Sequence, residues 1–144
     1  MLGRILETLK KNQAVFFPPV DERSMRFLSS LLSSHHFPPL PPDYVTLLKQ
    51  TDGLIWNGIE LYGSRANDRE TKGYTLPGLM EANMEFSNAA PMRGKLLLGR
   101  AAEELFVYDS IDQKYHIINR MDFTVSCSFS TFSEAIYLFV DELF

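Results

Sequence analysis

The sequence predicts an α+β fold: a mostly antiparallel central sheet of about five to six strands, with helices before it and one helix closing the chain. Two observations carry this. Apolar residues recur at helical spacing through the N-terminal third, then at short strand lengths between turns, then at helical spacing again at the C-terminus. Strand and helix do not alternate, which argues against a doubly wound parallel sheet. A length of 144 residues with 45% hydrophobic content suits one domain over residues 1–144 with one continuous core.

The elements follow in order. Leu2, Ile5, Leu6 and Leu9 stand at i, i+3, i+4 and i+7 and make one apolar stripe of a first helix. Pro18 and Pro19 interrupt the chain. Asp21 can cap a second helix to about Ser33, with Met25, Leu28, Leu31 and Leu32 facing inward. The run Phe37–Pro42 holds four prolines and is rigid and extended, because proline fixes φ and removes a donor. Pro42 then starts a third helix to about Gln50, with Tyr44, Leu47 and Leu48 on one side and Gly53 as its left-handed C-terminal cap.

Leu54–Gly63 is dense in bulky apolar residues and reads as one short strand with its lead-in loop. Ser64–Gly73 is polar and charged and reads as a mobile loop. Leu79–Phe86 is a short helix. Leu96–Arg100, Leu105–Asp109, Tyr115–Asn119 and Phe123–Phe129 form an antiparallel meander. Thr131 and Glu134 make a capping box that opens a final helix through Phe132, Ile136, Phe139 and Leu143.

Composition excludes some functions. The net charge is −4, from 14 basic and 18 acidic residues. A duplex-binding surface needs clustered Lys and Arg, so no nucleic-acid partner is expected. No apolar run approaches the ~18 residues of a membrane span. Met1–Leu9 is broken by Arg4 and Glu7 and followed by Lys10 and Lys11, unlike a secretion signal. Cys127 is the only cysteine, so no internal disulfide can form, and a reducing, cytoplasmic location is expected.

Catalytic groupings do not emerge. His35 and His36 are adjacent, so their side chains diverge, and both read as helix-end residues. His116 lies in a strand pattern with no neighbouring ligand, and no metal site or cofactor is expected. Cys127 sits between Val125 and Phe129 and reads as a small buried hydrophobe. The glycines form no phosphate loop, and no serine stands in a nucleophile elbow. Glu81 and Glu85, at i and i+4, read as a solvated helix face or as a patch for a basic partner. Trp56, beside the turn dipeptide Asn57-Gly58, has two readings: a core plug or a binding hot spot.

An ordered set of pieces resembles the SUKH (Smi–Knr) superfamily, nearest its YrhA-like branch. Leu40-Pro41, Tyr44, Leu47-Leu48 and Asp52-Gly53 resemble its signature, and Trp56–Gly63 its following strand. Glu81–Asn83, Leu97–Arg100, Phe106–Asp109, and Phe129 with Phe132 and Glu134 follow in order. Asp52 stands where that family usually has asparagine. The resemblance implies an α+β fold and a non-enzymatic, protein-binding role. The expected partner is a bacterial toxin domain, often a nuclease, that an immunity protein of this kind neutralises. The alternative is an interaction module regulating cell-wall glucan synthesis. Candidate contact residues are Trp56, Glu60, Tyr62, Asn83, Glu85, Arg100 and Tyr108, gathered around one sheet edge with an acidic rim that steers a basic partner.

Overall fold

The computed structural model describes residues 1–69 and 73–144. The fold is α+β, with a main sheet of seven strands in which every pairing between neighbours is antiparallel. The meander forms as expected: β6 (Lys95–Ala101), β7 (Glu104–Asp109), β8 (Lys114–Asn119) and β9 (Val125–Phe129) pair in sequence. Phe123 stands outside the last strand, at φ +61° in the β8–β9 turn.

Before the meander, Leu54–Gly63 is a hairpin rather than one strand. β2 (Leu54–Trp56) and β3 (Ile59–Leu61) pair across Asn57-Gly58, and both turn residues have positive φ. Two consecutive positive φ values are what a tight hairpin turn demands, and Asn-Gly supplies them at least cost. A further strand, β1 (Val15–Phe16), pairs with β2 at the sheet edge. Two residues are too short to show a period in sequence. The segment expected as a loop over 64–73 contains β4 (Asn67–Arg69), which pairs with β5 (Tyr74–Leu76) as a separate ribbon. The rest of that expectation, residues 70–72, lies outside the described residues.

The helices are α1 (Leu2–Lys11), α2 (Glu22–Ser34), α3 (Pro42–Leu48), α4 (Leu79–Glu85) and α5 (Phe132–Val140). Asp21 caps α2 by accepting from Ser24 N–H at 2.7 Å. Thr131 Oγ1 accepts from Glu134 N–H at 3.2 Å and opens α5, while the Glu134 carboxylate takes the Thr131 hydroxyl rather than the backbone. Helix α3 ends earlier than expected, and Gly53 is not its cap. Gly53 lies just before β2 at φ +100°, where a side chain would collide with Leu76 and Leu61. Helices α1 and α3 pack against α5, which covers β8 and β9, while α4 packs on β6 and is backed by α2. Tyr44, Leu47 and Leu48 of α3 are fully buried beside Leu54, Leu61 and Phe132. Among the described residues, no helix is long and apolar enough to cross a membrane.

Candidate functional site

Alternation along β3 divides its side chains. Ile59 and Leu61 lie on the face of the sheet that α5 covers, and Glu60 points to the other. The register extends this second face across five strands. Glu60 stands opposite Ile55 on β2 and Arg100 on β6, Arg100 opposite Leu105 on β7, and Leu105 opposite Ile118 on β8. The cross-strand neighbours Glu60 and Arg100 are joined by Nε–H···Oε1 at 2.8 Å. Glu60 is only 8% exposed. Its second oxygen accepts the Tyr74 hydroxyl from β5, so the carboxylate is held from two sides.

Two hollows open on this face. One, of about 410 Å³, is lined by Ile55, Gly58, Glu60, Tyr74, Arg100 and Arg120, among others. The other, of about 360 Å³, is lined by Tyr62, Glu85, Phe86, Arg100, Leu105 and Arg120. Arg100 and Arg120 line both, so the two hollows adjoin at these arginines and are treated as one recess. Burial raises the Tyr62 hydroxyl to about 12, with Arg100 opposing the shift. Burial also raises Tyr74, helped by its hydrogen bond to Glu60. Both hydroxyls are therefore protonated at neutral pH and able to donate. Burial alone would lower Arg100, but the bond to Glu60 and its charge raise it on balance.

Four of the expected contact residues, Glu60, Tyr62, Glu85 and Arg100, meet at this recess. Trp56 does not. It is half-buried beside Leu9, Ile136 and Val140 and donates Nε1–H to Asn12 O at 3.2 Å. Asn83 is a structural residue. Its amide meets Leu97 N–H at 2.8 Å and Leu97 C=O at 2.9 Å, acting as a strand partner where β6 runs past the end of β3. Tyr108 packs on Tyr115 with ring centroids 5.1 Å apart. Its register neighbour Tyr115 packs in turn on Phe132 of α5, so Tyr108 lies on the face that α5 covers.

Sequence reasoning missed Tyr74 and Arg120. Arg120 stands two residues beyond Ile118, the alternation that marks the recess face, but it follows the end of its strand. Tyr74 comes from a ribbon whose pairing shows no period in sequence.

The reading of His116 also changes. Its Nε2 lies 2.8 Å from Asp112 Oδ2 and 3.8 Å from Asp109 Oδ2, and its Nδ1 lies 2.6 Å from Ser128 Oγ. The three candidate ligand atoms fall within 4.8 Å of one another, a spacing that could hold a metal ion. The groups also satisfy one another directly, so the cluster clamps the β7–β8 turn onto β9. Asp112 is held below the ordinary carboxylate value: burial raises it, but the Lys114 amide and His116 outweigh that. His35, which follows α2, donates Nδ1–H to Leu31 O at 3.0 Å, the helix-end role expected of it. No family model matches this chain, and no curated protein matches its sequence.

Proposed function

We propose that the chain is a non-catalytic protein-binding module of the immunity type, which neutralises a bacterial toxin domain in the cytoplasm by occupying its surface. The observation that carries this reading is the Glu60–Arg100 pair, fixed by Tyr74 and ringed by Tyr62, Phe86 and Ile55. Arginine and tyrosine are the residues most enriched at binding hot spots. Here the pair is ordered before any partner arrives, which lowers the entropy lost on association. The ordered resemblance to the SUKH superfamily supports the same role.

The test is co-expression with the toxin encoded beside the gene. The wild-type chain restores growth and co-purifies with the toxin domain. Arg120→Glu, which reverses a partly exposed charge at the recess without touching the Glu60 pair, weakens both. A wild-type chain that neither rescues growth nor forms a complex defeats the proposal.

A further inference from the structure

Tyr62 is 5% exposed, yet among the described residues its hydroxyl has no hydrogen-bond partner. A buried phenol normally finds one. The oxygen is not sealed from solvent, and Tyr62 lines a hollow from which a partner can reach it. Two further donors line the same hollow. Arg100 gives Nε to Glu60, and among the described residues no other carboxylate lies within ion-pair distance of its terminal nitrogens. Arg120 has no carboxylate within ion-pair distance among the described residues. The buried carboxylate on this face, Glu60, is already shared between Arg100 and Tyr74. The recess therefore offers two guanidinium groups and a neutral hydroxyl facing one space.

We propose that Arg100, Arg120 and Tyr62 form a binding site for an oxyanion, a carboxylate or a phosphate, in the hollow they share. Guanidinium N–H pairs match the oxygens of either group in a fork, and charge-assisted bonds of this kind are the strong ones. Burial keeps Tyr62 protonated, so it can donate the remaining bond. Glu85 lines the same hollow and is exposed, and its charge opposes an incoming anion. That gives the site an adjustable brake: removing the Glu85 charge strengthens binding while removing Arg120 weakens it.

The site lies in the recess assigned above to partner contact, but free protein and small anions suffice to test it. Its failure therefore leaves toxin neutralisation to be judged by the rescue experiment. The isotope-labelled chain is titrated with N-acetylglutamate N-methylamide, with inorganic phosphate, and with the neutral N-acetylglutamine N-methylamide, while the arginine Nε–Hε signals are followed. One or both anions shift the Arg100 and Arg120 signals saturably at about millimolar concentration. The neutral compound does not. The tighter of the two names the source as a carboxylate or a phosphate. Arg120→Ala weakens that anion about tenfold or more, Tyr62→Phe weakens it about threefold to tenfold, and Glu85→Gln tightens it about threefold. Should Arg120→Ala fail to fold, Arg120→Gln serves in its place. The site is excluded if neither anion saturates, if the neutral compound shifts the signals equally, or if the Arg120 change leaves affinity unaltered.

Discussion

Asp52 places a carboxylate where only 4% of the residue is exposed. Its Oδ1 accepts Ser64 N–H at 2.5 Å, its Oδ2 accepts Asn67 Nδ2–H at 3.0 Å, and its own carbonyl takes the same amide group at 2.9 Å. Arg65 stands 3.8 Å away and is mostly exposed. The hydrogen bonds therefore matter more than the ion pair, because exposed pairs contribute little. Asp52→Asn would set an NH₂ group against the Asn67 NH₂ group, donor facing donor. The expected loss is about 1–2 kcal/mol of unfolding free energy, read by urea denaturation and nearly independent of salt. Arg65→Ala changes stability by less than about 0.5 kcal/mol. A loss that vanishes in high salt, or an Arg65→Ala loss as large as that of Asp52→Asn, would show that charge and not hydrogen bonding holds this joint. The adjoining Gly63 has no room for a side chain, since a Cβ there would meet the Asp52 backbone. This is the position where the resembled family carries asparagine, and in this chain the carboxylate has a structural use that an amide cannot copy.

At the scale of elements, Asn83 is the clearest case of a side chain completing a backbone. Helix α4 lies against β6, and its Asn83 amide supplies one donor and one acceptor to Leu97. Asn83→Ala leaves two buried backbone groups without partners and is expected to cost about 2–4 kcal/mol, measured by chemical denaturation. Asn83 was legible in the sequence as a residue of interest, but its role was not. The role depends on where β6 outruns β3, which is a matter of pairing register and cannot be read from either strand alone. The same limit explains the other differences. Helices α1, α2 and α5 and the meander declared themselves through local periodicity and caps. The β2–β3 hairpin was hidden because six apolar residues crowd around Asn57-Gly58 and blur its alternation. Part of the recess was legible because Glu60, Tyr62, Glu85 and Arg100 fall in segments the sequence marks as strand or helix. Tyr74 and Arg120 lie where the pattern ends, and only tertiary pairing brings them in.

Across the whole molecule, the buried tyrosines set one limit of stability. Tyr44 is fully buried, and its hydroxyl donates to Tyr62 C=O near Leu98 C=O, holding α3 to both β3 and β6. Burial raises its ionisation well above the ordinary 10.0, and burial likewise raises Tyr115. For Tyr62 the value reaches about 12. In each case the folded state keeps a proton that the unfolded chain releases from about pH 10 upward. Unfolding free energy therefore falls as pH rises above about 10, and the contribution of the neutral hydroxyls is complete only below that value. The acid side behaves oppositely and more weakly. Asp21 is lowered by the Ser24 amide and Asp122 by the Thr124 amide, so their stabilisation is present above the ordinary 3.8 and fades as pH falls below it. Both are exposed, and solvent screens them. The expected profile is a plateau from about pH 5 to 9, a shallow acid decline and a steep, cooperative alkaline unfolding. Tyrosinate absorbance and far-ultraviolet circular dichroism, followed together from neutral pH upward, test this. Tyr44, Tyr62 and Tyr115 should ionise only as the helical signal collapses. If all six tyrosines instead titrate near pH 10 while the fold persists, the burial of these hydroxyls does not control alkaline stability.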